Sequence, residues 1–403
     1  MNLYFFLKST KKIELDTINM KVLHLIKTTQ GATWALRQMK ELVDLDVEVH
    51  VALPSYSGKA SSYEKAGVKV HILDTDLSLK SIWNLVPQIK AFRKLLREIK
   101  PDLVHSHFFG TTIVMRLAMR GFCIPRIFQV PGPLHLEHFF FRNLELLVSD
   151  KEDYWIASCE WTKKKYQSLA DSKKIFLSYY GTDVEAFVGK SKEYLHDELG
   201  VPAKTKVIGM VAYMYPPKYY LGQKRGLKGH EDLIDAVSIV AEHYPDIKLV
   251  FVGGAWAGAT HYENKVIAYG KNKLHDKVVF LGTRTDVSQL YSGFDMAVHP
   301  SYSENVGGAV ESLLMNVPTI TSNVGGFPDL IKHKDTGLLA KPGDPSDLAN
   351  KILYYLENPE SAQKYTKKGA EYTRFLFDVK RTAKEVKEIY QKILTVCTSL
   401  KKS

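Results

Sequence analysis

The stretch from Pro300 to Leu330, PSYSENVGGAVESLLMNVPTITSNVGGFPDL, gathers two glutamates and two pairs of glycines directly after an apolar run, Met296 to His299. A helix starting near Gly307 would present unpaired backbone N–H groups and the positive end of its dipole, a ready site for phosphate. Gly307 and Gly308 let an anion come close. Glu311 falls about one turn into that helix, where a carboxylate can accept hydrogen bonds from both hydroxyls of a ribose. Glu304 stays in the loop, within reach of a ring beyond the phosphates. The plainer reading of the same pair is a solvating acid at a helix start and a surface glutamate.

Other reactive side chains are scattered. His105 and His107 have a spacing that would suit a metal, but no carboxylate or cysteine lies beside them in sequence, so a packed strand-end pair is expected. Cys123, Cys159 and Cys397 are odd in number and far apart, which suits reduced thiols in a cytosol. No DxD-type loop stands in a useful position, and no metal is expected.

The elements that must position these residues alternate between strand and helix. Strand patterns run over Lys21 to Ile26, Val47 to Ala52, Val68 to Leu73, Asp102 to His105, Arg126 to Val130, Tyr154 to Ser158 and Lys174 to Ser178, with an amphipathic helix near Leu79 to Ile99. After a polar stretch, Gly189 to Lys206, a second series covers Val207 to Ala212, Lys248 to Val252, Val278 to Leu281, Met296 to His299 and Thr319 to Thr321. Two doubly wound α/β units follow, with ligands expected at the carboxyl ends of their strands. The tail from Asp347 to Leu400 is helical in pattern.

Composition narrows the classes. The 403 residues carry 45% hydrophobic and 25% charged side chains, an ordinary globular balance. No apolar run approaches the roughly 20 residues that span a bilayer, and Leu3 to Leu7 is too short for an export signal. A soluble, cytoplasmic protein is expected. The net charge of +11 attracts anions without naming one. Motifs for nucleic acid are missing. The basic residues Lys90, Arg93, Lys94, Arg97 and Lys100 read as a solvated helix face or as contact with an anionic membrane. His138 to Leu147 (HFFFRNLELL) reads as a core-packing helix, with a membrane interface or a lipid-linked acceptor as the alternative.

In order along the chain, Glu304, Gly307, Gly308, Glu311, Gly325 and Gly326 resemble the signature of retaining GT-B-fold glycosyltransferases of group 1 (family 4). Val252-Gly253-Gly254, Phe280-Leu281-Gly282, Tyr180-Gly181-Thr182-Asp183 and Pro101 to His107 are similar to further parts of that family's pattern. The resemblance implies two Rossmann-like domains facing a central cleft. It divides the chain into an extension at 1–19, an acceptor domain at 20–190, a nucleotide-sugar domain at 191–378 and a C-terminal helix at 379–403 that packs back on the first domain. It also implies that Asn305, Val306, Gly307, Gly308 and Glu311 bind the donor and that Glu304 supports the sugar. Lys228 stands where the family's diphosphate lysine does. The partner arginine is replaced by Tyr213 and a long insertion, Met214 to Leu227, in which Arg225 is the chosen substitute. Gly31 follows the first strand near the donor phosphate. Pro131 occupies the place of the family's first-domain histidine, and His135 is taken as its replacement. The turn between Glu304 and Glu311 is one residue shorter than the pattern.

The function implied is metal-independent transfer of a sugar from a nucleoside diphosphate to a glycan or lipid-linked acceptor, in surface polysaccharide synthesis. Rival readings are a sugar-nucleotide epimerase of the same fold, for which no acid/base carboxylate set is visible in the first domain, and a non-catalytic partner subunit. A dinucleotide oxidoreductase is disfavoured because no G-x-G-x-x-G follows either first strand.

Overall fold

The structure is a computed structural model and describes residues 20–77, 83–189 and 191–402. The extension assigned to residues 1–19 lies outside them, as does the start of the helix expected from Leu79.

Runs of buried β-branched and aromatic residues give two parallel sheets. The first holds β1 (Lys21–Leu25), β2 (Glu48–Leu53), β3 (Lys69–Ile72), β4 (Leu103–Ser106), β5 (Arg126–Val130), β6 (Asp153–Ala157) and β7 (Ile175–Leu177). Its order is β3-β2-β1-β4-β5-β6-β7. The second holds β8 (Lys206–Val211), β9 (Ile247–Val252), β10 (Val278–Phe280), β11 (Met296–His299), β12 (Thr319–Ser322) and β13 (Leu338–Ala340), ordered β10-β9-β8-β11-β12-β13. This is the GT-B architecture. Strand order reverses between β1 and β4 in one sheet and between β8 and β11 in the other. Crevices outside the carboxyl ends of those pairs are where such sheets hold ligands. The loops carrying Tyr213 and Glu304 follow β8 and β11.

A kink at Asp378 separates the helix Pro359–Phe377 from the helix Val379–Lys402. The latter lays Ala383, Val386, Tyr390 and Ile393 into the first domain's core beside Met39 and Leu42 of the helix Thr33–Asp44. Spacings of three and four residues keep these side chains on one stripe. The crossing is tight: a Cβ on Gly181 would meet Val379 Cα at 2.4 Å. A mixed cluster joins the domains, with Cys159 and Tyr179 from the first and Val306, Ala309 and Phe327 from the second. Asp329 fastens it, accepting hydrogen bonds from the Glu160 amide (2.7 Å) and the Tyr179 hydroxyl (3.0 Å).

One expectation needs correcting. The helix Phe139–Leu147 does not pack its aromatic face inward. Phe139, Phe140 and Leu147 are 70%, 57% and 80% exposed, while Glu145 is fully buried. Burial follows the partners available: Glu145 accepts from Arg116, from Trp155 Nε1 at 3.0 Å and from the Tyr166 hydroxyl at 3.1 Å, and Arg116 also reaches Asp153 at 2.8 Å. The polar stretch before β8 is partly helical. It contains the helix Glu193–Leu199, whose Leu195 packs beside Phe294 in the second domain's core. No helix among the described residues is long and apolar enough to cross a membrane.

Candidate active site

The helix Gly307–Leu314 begins at the mouth of the second crevice, with Gly307 at φ +39° and its first amides free of helical partners. A Cβ on Gly308 would lie 2.9 Å from His299 Cε1 and 3.0 Å from the Val211 carbonyl, so glycine lets the helix start sit directly on β8 and β11. The second glycine pair acts on the preceding loop. Gly325 has φ +52°, and a Cβ there would fall 1.8 Å from the Glu304 carbonyl, while one on Gly326 would fall 2.1 Å from that of Asn305. Removing both side chains lets the Glu304 loop close onto the β12 turn, where the Gly326 amide donates to the Glu304 carbonyl at 3.2 Å.

Glu304 folds back over the helix start. Its carboxylate accepts from the Asn305 amide at 3.0 Å and pairs with Lys228 Nζ, both side chains being largely shielded from solvent. Lys228 is aimed by Gly229, whose φ of +74° turns the chain against the Pro300 carbonyl, and its ammonium lies 5.4 Å from the centre of the Tyr215 ring. Beneath it, burial together with this ammonium holds His299 at about 3, so that ring stays neutral.

Two adjoining chambers share Val211, Ala212, Tyr213 and Gly308. One, about 160 Å³, contains Lys228 and Glu304. The other, about 250 Å³, reaches Gly253, Thr283, Arg284 and Glu311. Burial pushes the Glu311 carboxyl above its ordinary range, partly offset by Arg37 of the first domain, the one side chain that reaches Glu311 electrostatically from across the cleft among the described residues. Together the chambers form a trough with the helix start at its middle, Glu311 toward one end and the Lys228–Glu304 pair toward the other. A cavity of about 610 Å³ lies instead at the amino ends of β8 and β11, beside Lys206, Asp295 and Met296. That is the wrong edge of an open α/β sheet for chemistry.

Residues 215–372 match the family described as "Glycosyl transferases group 1", and residues 31–186 match "Glycosyltransferase Family 4". The chain belongs to the group 1 glycosyltransferases. N-acetyl-alpha-D-glucosaminyl L-malate synthase of Bacillus anthracis is 20% identical over 375 residues, covering 88% of this chain and 92% of that protein. D-inositol 3-phosphate glycosyltransferase of Corynebacterium jeikeium is 27% identical over 62% of this chain and 63% of its own. Among solved structures, Anabaena HepE in complex with UDP superposes with a TM-score of 0.77 at 21% identity, covering 93% of this chain and 100% of that one. Sucrose-phosphate synthase from Thermosynechococcus elongatus gives 0.75 at 18% identity over 94% and 100%.

Within this glycosyltransferase, the residues singled out in sequence divide into groups. Lys228, Glu304, Gly308 and Glu311 line the trough, and Gly307 opens the helix beside them. Asn305 lends its amide to Glu304. Val306 contributes backbone alone, its side chain being buried in the interdomain cluster. Gly31 lies in the loop after β1, where a Cβ would meet nothing nearer than Thr28 at 3.9 Å, so packing does not demand the glycine.

Arg225 is a correction. Its guanidinium is held by Asp232 (2.6 Å) and Asp235 (2.7 Å), three residues apart on one face of the helix His230–His243, and it lines a different hollow with Leu221 and Tyr302. Two carboxylates at helical spacing hold the arginine. His135 is a second correction. It is packed against Phe109 and Phe128, with Nε2 3.0 Å from the Tyr166 hydroxyl, and burial pushes it down to about 4. The same turn meets the second domain through Glu137, which accepts from Ser303 Oγ at 2.7 Å.

His105 and His107 gain a third member. His24, paired in register with His105 across β1 and β4, brings the three rings' nitrogens within 4.8 Å of one another. His24 Nδ1 bonds His107 Nε2 at 2.8 Å, and the hydroxyls of Tyr390 and Tyr180 bond His105 and His107. The triad thereby ties the C-terminal helix to the first sheet. Sequence reasoning passed over Arg37, Glu137 and Arg284. Arg284 had a local signal, standing two residues after Gly282 at a strand end; the other two reach the site only through partners more than a hundred residues away.

Proposed function

We propose that this glycosyltransferase takes a nucleoside-diphosphate sugar, with uridine the first base to try, and transfers the sugar to a hydroxyl of a glycan acceptor with retention of configuration and without a metal. The observation that supports the reading is the trough: Glu311 at one end for the ribose, the helix start and Lys228 for the diphosphate, Glu304 for the sugar. The uridine preference rests on HepE, whose solved complexes contain UDP and UDP-glucose.

As the bond to the anomeric carbon breaks, negative charge gathers on the leaving diphosphate. Lys228 and the amides at Gly307 and Gly308 are fixed donors for that charge, in a site that excludes much of the water. The departing phosphate oxygen can take the acceptor's proton on the same face, which preserves configuration. Glu304 faces the opposite charge developing on the sugar. A lipid-linked acceptor at the cytoplasmic face of an anionic membrane, in surface polysaccharide synthesis, fits the exposed Lys90, Lys94 and Arg97 and the outward Phe139 and Phe140.

Glu137 favours one alternative, because a carboxylate from the first domain beside Ser303 is what an epimerase would need. Incubation with a panel of UDP-, GDP- and ADP-sugars, with chelator and with or without acceptor, tests both. The proposal expects a glycoside with the donor's anomeric configuration by NMR and an unaltered donor sugar in the acceptor-free arm. An inverted product, or turnover abolished by chelator, would overturn it.

A further inference from the structure

The Met214 to Leu227 insertion carries more than a lost arginine. Its turn Tyr219–Leu221 brings Tyr220 to the first domain, with ring centres 5.4 Å from His138 and 6.3 Å from Phe141. Tyr220 remains 54% exposed. Glu137 adjoins His138 and bonds Ser303, the immediate neighbour of Glu304. Burial, and then the nearby Glu137 carboxylate, raise the pKa of the Tyr220 phenol. His138 Nδ1 is buried and has no hydrogen-bond partner. Thus the acceptor side of the cleft holds a half-exposed aromatic ring and a carboxylate bonded to the neighbour of the glutamate proposed to face the transferred sugar.

That combination is chemistry for a pyranose. Aromatic faces stack on the apolar C–H side of a sugar ring, and a carboxylate accepts from its hydroxyls. A polyprenyl chain would not use the carboxylate. We propose that Glu137, His138 and Tyr220 form an acceptor subsite for a pyranose residue of the glycan, with Glu137 accepting a ring hydroxyl and Tyr220 covering one face. This rests on the donor reading above, since the subsite derives its position from Glu304. It also gives the insertion a role: the segment that displaces the family's arginine supplies one wall of the acceptor site.

Saturation-transfer NMR on full-length protein, saturated with whichever of UDP, GDP or ADP it binds, tests this with methyl α- and β-pyranosides of glucose, galactose, mannose and N-acetylglucosamine as probes. The expected result is transfer to at least one pyranoside. Affinity for it should fall about tenfold in Glu137→Gln and Tyr220→Ala, the scale of one hydrogen bond to a charged group or one stacked ring. Tyr220→Phe should restore it, the exposed Tyr219→Ala should leave it unchanged, and nucleotide affinity should be constant throughout. No transfer to any pyranoside from nucleotide-saturated wild type overturns the subsite alone, as does wild-type affinity retained in both Glu137→Gln and Tyr220→Ala. Wild type that binds none of the three nucleotides overturns the donor reading and the subsite with it.

Discussion

Gly325 determines where Glu304 sits, because its bare Cα lets the Glu304 carbonyl approach to a distance at which any Cβ would collide. Gly325→Ala must move the loop and also strain a backbone at φ +52°, a position that costs about 1 kcal/mol or more outside glycine. The expected outcome is a protein with a nearly unchanged far-UV spectrum whose transfer rate falls at least tenfold while nucleotide binding persists. Arg37 is the complementary case. Its charge favours the ionised form of Glu311, the form that the proposed ribose contact needs. In Arg37→Ala, Glu311 should take up its proton at higher pH, so the acid limb of nucleotide affinity, measured by calorimetry from pH 5 to 8, should move upward. Glu304, Glu311 and Lys228 were legible in the sequence because each stands at a fixed offset from a strand end and a glycine. Arg37 and Glu137 were not, because neither has a local partner and only the closing of two domains gives them one.

At the scale of elements, periodicity reported that Phe139–Leu147 is an amphipathic helix but not which way it faces. The usual rule puts the aromatic stripe inside. Here a fully buried Arg116 requires Glu145, and the charge pair turns the helix over. Removing one partner of a buried ion pair strands the other, typically at a cost of about 3–5 kcal/mol. Glu145→Ala should therefore lower the urea midpoint sharply, whereas Phe140→Ala on the exposed side should leave it nearly unchanged. Both Rossmann-like sheets were readable from their buried runs, while β13, Leu-Leu-Ala, has no β-branched or aromatic residue to mark it as a strand. The insertion hid Arg225's fate for a related reason: sequence displays a nearby cation, and only the folded helix displays Asp232 and Asp235 side by side.

For the whole molecule, the two domains share one chain twice, since the last helix returns to the first domain and locks onto its histidine triad through Tyr390. Burial holds His24, His230 and His299 at about 3 and His135 at about 4, against an ordinary value of 6.5, so all four are neutral when folded near neutral pH. Between those values and 6.5 the unfolded chain binds more protons than the folded one. Stability is accordingly intact above about pH 6.5 and is lost progressively as pH falls, each ring contributing a slope of about 1.4 kcal/mol per pH unit inside its window. Urea midpoints at pH 7.5, 6 and 5 should fall in that order, and a rise toward pH 5 would contradict the burial of these rings.

The direct test of the central claim is isothermal calorimetry of nucleoside diphosphates with wild type, Glu311→Ala and Lys228→Ala. The trough predicts that wild type binds UDP or another of the common diphosphates. It predicts losses of about 1.5–3 kcal/mol in each variant, the scale of hydrogen bonds to charged groups. Equal affinity in all three proteins would place the nucleotide elsewhere and contradict the account.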